Sequence, residues 1–318
     1  LRSEVLTVRQ FGEQWTSGEL ARRYPDHVNP LRSARDSARW LKKYVYPHIG
    51  EMALTTVGLD ELEHVMAALP PHLGSASRRC VAQLAGRLMR LAHYPAKLIE
   101  ASPVPERWLP RVTRGTFQFL YPAEEAQLLA CTSIPVKWRL LWGLLSREAM
   151  RPHEGLQLRW ENLDLNRGIL TLSQHKTVRT SGVRIWSLDP GSRAALWWWR
   201  ELVPGAARGQ LFAGLVAKKL AEQLRAHLLL AGVTRAELHT SEGQSHALRA
   251  HDLRATGVTL WLAAGKSETF VMDRTGHTTS QMLQKYRRGA RTAAELDLGG
   301  LVPLWWGLPE CRAAYEEA

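Results

Sequence analysis

The sequence is 318 residues long, 45% hydrophobic and 23% charged, an ordinary globular composition with room for two domains. Its three cysteines, Cys80, Cys131 and Cys311, lie far apart with no CxxC pair, which speaks against a disulfide framework or a zinc ribbon. No run approaches the ~18 apolar residues of a membrane span and the opening LRSEVLTVRQ has no apolar signal-type run, so a reducing cytoplasm is expected. The net charge of +12 points to a polyanionic partner. Residues 1–114 hold 17 basic and 11 acidic side chains and residues 115–318 hold 25 and 19, so each part carries +6, as in a clamp that grips nucleic acid from two sides.

Residues 1–100 read as a helical bundle. Phe11 and Trp15 share a face in TVRQFGEQWTSGELARRY, and SARDSARWLKKYVYPHIG carries Trp40, Leu41 and Tyr44 before Pro47 and Gly50 end it. GLDELEHVMAALPP opens on an acidic turn and closes at Pro70, and SASRRCVAQLAGRLMRLAHYP shows a helical stripe of Val81, Leu84, Leu88 and Leu91. Lys42, Lys43, Arg78, Arg79, Arg87 and Arg90 are candidate phosphate contacts, although any one charge on a helix is more commonly just solvated. Residues 101–119 have the prolines and the lack of period of a linker.

From residue 120 to 318 a second domain is expected, α+β in kind. PAEEAQLLACT and VKWRLLWGLLSREAM read as helices, the latter with Leu140, Leu141, Leu144 and Leu145 in a helical pattern. The period then changes. Ile169–Leu172 and Val183–Leu188 are β-rich runs around a polar stretch holding Lys176, a hairpin with a long loop. Helices resume through SRAALWWWRELV, whose tryptophans read as packing, VAKKLAEQLRAHLLLAG, HALRAHDLRATGVTLWLAAG, SETFVMDRTG and TSQMLQKYRR. The expected fold is therefore mainly α, with a small β-hairpin sheet in the second domain.

Several residues in this part have chemical potential. His251 and Arg254 lie three apart on one helix and share a face. Pro152 suits a first helical position and would leave Arg151 at a junction facing a cleft. His277 follows Gly276, and Thr278 with Gln281 has the pattern of a capping box opening the helix of Tyr286. Tyr286 itself sits between Lys285 and the pair Arg287–Arg288, an unusual place for a purely structural phenol. Taken singly, each is weak: an arginine on the surface, a loop lysine, a core tyrosine. Their order is what carries weight.

In that order the set resembles the tyrosine recombinase (phage integrase) family: Arg151, Lys176, His251-Asp-Leu-Arg254, Gly276-His277 and Tyr286. MRPHEGLQLRWENLDL is similar to the family's first arginine box, with Glu154 at its acidic position, and RTGHTTSQMLQKYRR to the segment that ends in the nucleophile. The resemblance covers residues 120–290. The amino-terminal bundle resembles the family's core-binding domain in length and helicity only. Many phage integrases carry an arm-binding domain in front, whereas this sequence starts at the bundle.

The resemblance implies site-specific recombination through a 3′-phosphotyrosine on Tyr286. In that chemistry Arg151 and Arg254 hold the phosphate, Lys176 protonates the leaving 5′-oxygen, His251 serves as acid/base, His277 hydrogen-bonds the phosphate, and Glu154 orients the histidine and arginine. It implies no metal and no cofactor. It also implies duplex DNA with inverted half-sites, a homo-tetramer on two sites that is a monomer or weak dimer when free, and a cytoplasmic, nucleoid-associated place. A type IB topoisomerase, a catalytically silent DNA-binding module and an RNA binder are the alternatives. The second histidine of the Gly-His pair, the complete six-residue set and the lack of an RRM or KH signature weigh against them in turn. The apolar stretch after Tyr286, with Leu298, Leu301, Leu304, Trp305 and Trp306, needs a cover, either its own domain or a neighbouring protomer.

Overall fold

The computed structural model describes residues 6–112, 117–173, 182–203, 208–241 and 245–317. Helix makes up 57% and strand 5%, so the sheet is a minor part of a mainly helical protein. Two compact units, Leu1–Arg114 and Gly115–Ala318, each have their own interior. Among the described residues no helix is long and apolar enough to cross a membrane.

In the first unit, Thr7 caps the Val8–Thr16 helix through a capping box with Gln10, each side chain satisfying the other's backbone N–H. That helix lays Val8, Phe11 and Trp15 on one face. The face packs with Leu41 from Ala34–Tyr44, Leu62 and Val65 from Leu59–Ala67, and Val81, Ala85 and Leu88 from Ser75–His93. Within the stretch expected to be a linker, Val104, Trp108 and Leu109 rest on this core, and the Trp108 indole donates to Glu63 at 2.6 Å. Apolar side chains between the prolines hold that stretch down.

The second unit is built on the Val136–Arg147 helix, which buries Leu140, Leu141, Trp142, Leu144 and Leu145. A three-stranded antiparallel sheet in the order β1 (Leu163–Asp164), β2 (Ile169–Leu172), β3 (Arg184–Ser187) flanks it. The β2–β3 register pairs Leu170 with Trp186 and Leu172 with Arg184, and all four are buried. The alternation of a strand thus turns an arginine inward. The hairpin was expected; β1 was not, because two residues leave no period to read. Lys176 lies outside the described residues.

The carboxy-terminal stretch folds back onto its own unit. Leu304, Leu308 and Cys311 are fully buried in the main core. Two buried arginines hold it: Arg147 donates to the Val302 carbonyl and pairs with Glu125, and Arg139 pairs with Glu310. For these residues the cover comes from their own unit, while Trp306 stays exposed. Truncation after Arg291 is expected to abolish the cooperative melt of this unit. Losing a buried leucine costs roughly 2–5 kcal/mol and stripping a buried arginine of its partner roughly 3–5 kcal/mol, against a total of only about 5–15 kcal/mol. A thermal melt followed by circular dichroism checks this; an unchanged transition would mean the stretch is dispensable to the fold.

Candidate active site

The site grows from one close helix crossing. The Ala250–Ala263 helix packs on Val136–Arg147, and a Cβ at Gly257 would lie 2.0 Å from the Ser146 carbonyl oxygen. Only glycine allows that approach. It brings Arg254, one turn earlier, under the end of the facing helix. There Arg254 is 1% exposed, and it donates from Nη1 to Ala149 O at 2.8 Å and from Nη2 to Thr275 O at 2.6 Å. Burial, and then the neighbouring Arg151, push its pKa down to about 10, with Glu154 and Tyr286 acting the other way. It stays a cation at neutral pH.

Arg151 is the N-cap of Pro152–Leu156, and Pro152 takes the first helical position as expected. Glu154 reaches back to the Arg151 N–H at 3.0 Å and accepts from its Nη1 at 2.7 Å. The same carboxylate lies 2.6 Å from Arg184 Nη2. Burial alone would raise the pKa of Glu154, but Arg184 and Arg151 hold it at about 2. Glu154 thus sits between two arginines, where the sequence led us to expect it also to orient a histidine. Arg184 was missed. Its signal was the β3 alternation that puts it on the Trp186 face, readable only once the β2–β3 register is known.

His251 stands in the first turn of its helix, open to solvent on one side and packed on the other, while Arg254 is covered. The atoms around it and the Arg254 charge lower its pKa to about 4. The Glu268–Thr275 helix ends at Gly276, whose φ of 66° is left-handed, and this turn delivers His277. Burial, with Arg254 and Lys285 nearby, lowers the His277 pKa to about 3.

Tyr286 enters differently from expectation. The Thr278–Gln281 capping box does not form. Instead the chain makes a 3-10 turn over Ser280–Met282, with Thr279 extended before it, and Gln284–Glu295 then starts as an α-helix. The tighter i→i+3 turn consumes the residues that a capping box would have used. Tyr286 lies in the first turn of that helix and is 2% exposed. Its ring is 5.9 Å from His277 and 5.2 Å from Phe117, with Lys285 Nζ 4.6 Å from its centroid. Arg151, Glu154, Arg254, His277 and Tyr286 are therefore gathered in one place from three helices and a turn, and the Arg254 charge is felt at His251.

A buried forked cation beside a second arginine is a natural holder of a phosphate's non-bridging oxygens, and a phenol stands next to them. The family model of the phage integrase family matches residues 118–292, over half of the sequence and spanning every one of these residues. The chain belongs to the phage integrase family. Tyrosine recombinases of this family also give its structural relatives. A lambda integrase dimer bound to a COC′ core site superposes with a TM-score of 0.68 at 14% identity, over 89% of this chain and 77% of that one. The Tn1549 transposon integrase in complex with a circular intermediate DNA gives 0.67 at 15% identity, over 92% and 99%. A lambda integrase tetramer bound to a Holliday junction gives 0.69 at 13% identity, over 91% and 79%. Identities this low speak for the fold alone. Comparison with curated protein sequences gives no match.

In the first unit the expected phosphate contacts divide. Lys42, Lys43, Arg87 and Arg90 are exposed. Arg78 donates to the Met66 and Leu69 carbonyls at 2.8 and 3.4 Å, and Arg79 to those of Pro110 and Leu109 at 2.5 and 3.5 Å. Those two guanidinium groups close off a helix end and pin the proline-rich stretch, which the helical stripe alone did not reveal.

Proposed function

We propose that this integrase-family chain is a site-specific recombinase that cuts and rejoins duplex DNA through a 3′-phosphotyrosine at Tyr286. The observation that carries the reading is the gathering of Arg151, His277 and Tyr286 around the buried Arg254. The Tyr286 oxygen attacks the scissile phosphorus, the P–O5′ bond breaks, and the phosphate stays on the enzyme. The phenol gives its proton to a base, His251 being the candidate, and Lys176 returns one to the departing 5′-oxygen. Arg151 and Arg254 meet the charge that develops on the phosphate, which is where preorganised donors act most strongly. The phosphotyrosine conserves the ester's bond energy, so religation by another strand's 5′-hydroxyl calls for no ATP, and the guanidinium pair does the neutralisation that a metal performs elsewhere. Because Tyr286 is 2% exposed, engagement of the duplex has to uncover its hydroxyl.

On this reading residues 1–100 form a core-binding domain that also grips the duplex, residues 101–119 connect it to the catalytic domain, and four protomers act on paired inverted half-sites. The lambda integrase tetramer on a Holliday junction supports that assembly by its likeness in fold. The test is to select bound duplexes from a random DNA pool and incubate pairs of them with the protein. Exchange of flanking arms supports the proposal. Relaxation of supercoils without exchange favours a type IB topoisomerase, and binding without cleavage a silent module.

The division among the basic residues gives a separate expectation. Arg87→Ala should weaken DNA binding and reduce its salt slope by about one, with the melting temperature unchanged. Arg78→Ala should lower the melting temperature, since two carbonyls lose their donor at roughly 1–3 kcal/mol each. Filter binding across a salt series and thermal melts separate the two, and identical behaviour of both variants would contradict the assignment.

A further inference from the structure

Thr275 joins two members of the site, and nothing in the sequence assigned it a role of its own. It is the last residue of the Glu268–Thr275 helix and is fully buried. Its carbonyl accepts from Arg254 Nη2 at 2.6 Å. Its hydroxyl oxygen lies 2.6 Å from Val271 O and 2.8 Å from His277 Nδ1. Gly276 carries the chain between them through its left-handed turn, with Arg184 close behind.

These two short distances decide where the protons are. A carbonyl has no proton, so the one between Thr275 and Val271 is the hydroxyl's own. Were that proton turned toward His277 instead, two oxygens would face each other at 2.6 Å with nothing between them. A hydroxyl has a single proton and two lone pairs. With the proton given to Val271 O, Oγ1 can only accept from His277, and Nδ1 must carry the hydrogen. The ring is neutral at pH 7, because burial and the surrounding Arg254, Lys285, Arg151 and His251 disfavour its charged form. Tyr286, on the Gln284–Glu295 helix, is its aromatic neighbour.

We propose that Thr275 is a positioning residue that locks His277 as the Nδ1–H tautomer, leaving Nε2 as a proton acceptor in the DNA-free protein. The consequence for catalysis rests on the proposed phosphotyrosine chemistry. In this tautomer Nε2 has no hydrogen to offer a phosphate oxygen. A hydrogen bond from His277 to the phosphate forms only after Nε2 takes up one proton, making an imidazolium with Nδ1 still held by Thr275. Engagement of the phosphate and protonation of His277 are thereby coupled, and the anion supplies the charge that makes the uptake favourable. A threonine hydroxyl at this place converts a histidine that would otherwise be a ready donor into one that donates only when loaded.

The direct test is nitrogen-15 histidine NMR of the full chain without DNA at pH 7, with His277 assigned by comparison with His277→Gln. The wild-type ring is expected to show the Nδ1–H pattern, the opposite of the tautomer that an unconstrained histidine prefers in water. Thr275→Val, which keeps the side-chain shape and removes the hydroxyl, should shift the ring toward Nε2–H, and Thr275→Ser should restore the wild-type pattern. A melt of each variant controls for folding. In single-turnover cleavage, Thr275→Val should flatten the pH profile, because its His277 donates without first taking up a proton, with Thr275→Ser close to wild type. A wild-type Nε2–H ring, or a Thr275→Val protein with unchanged tautomer and pH profile, overturns the inference. The NMR result does not depend on DNA chemistry, so a protein that cleaves nothing would sink the proposed function and leave the tautomer question answered on its own.

Discussion

Tyr286→Phe is expected to retain half-site binding and to form no covalent adduct with DNA. The ring stays where Phe117, His277 and Lys285 pack around it, so a phenylalanine fills the same volume and only the reacting oxygen is lost. Removing the nucleophile of a covalent mechanism should lower the chemical step by at least about four orders of magnitude. The comparison to make is a denaturing gel of wild type and variant on a nicked duplex that lets the 5′-fragment diffuse away. An adduct of undiminished yield in the variant would move the chemistry to one of the other six tyrosines.

The second large effect is expected at the arginines, and the structure separates them. Arg151 is partly exposed, and its partner Glu154 retains Arg184 when it is gone. Arg151→Ala should therefore fold normally and lose about 10²–10³-fold in cleavage, the usual cost of one donor aimed at developing charge, with little change in affinity. Arg254→Ala should lose at least as much in cleavage and also melt lower. It leaves the carbonyls of Ala149 and Thr275 without their donor, at roughly 1–3 kcal/mol each, and it empties a buried volume. Arg254→Lys keeps a charge but not the fork that spans two carbonyls, so it should recover part of the stability and little of the rate. Single-turnover rates and dissociation constants, measured side by side with melts, give the three quantities. Rate losses matched by equal losses of affinity would mean that the arginines merely bind DNA.

How much of this was legible in the sequence depends on the range over which each signal acts. The order Arg151, Lys176, His251, Arg254, His277, Tyr286 is a linear pattern, and it sufficed to suggest the family that residues 118–292 match. Helices with a clean stripe, such as Val136–Arg147, and the β2–β3 hairpin were readable because their periods are local. What escaped depends on register or on contacts between distant segments. Arg184 faces inward only because β3 pairs with β2 as it does. Thr275 matters only because a carbonyl and a hydroxyl of one residue meet Arg254 and His277. The capping-box pattern at Thr278 was a correct local signal overruled by a 3-10 turn. The apolar stretch around Leu304 announced that it needed cover, but apolarity carries no address, and only the partners of Arg139 and Arg147 show the cover to be its own unit.

The central claim, that this chain attacks DNA with Tyr286, is tested most directly by peptide mapping of a trapped adduct. The wild-type protein is reacted with a nicked duplex carrying a selected site, denatured, and digested with nuclease and protease, and the nucleotide-bearing peptide is sequenced by mass spectrometry. The account predicts a 3′-phosphonucleotide on the tyrosine of the peptide that contains Lys285-Tyr286-Arg287. A modified residue elsewhere in the chain, or a phosphate left on the 5′-end of the cleaved strand, would contradict it.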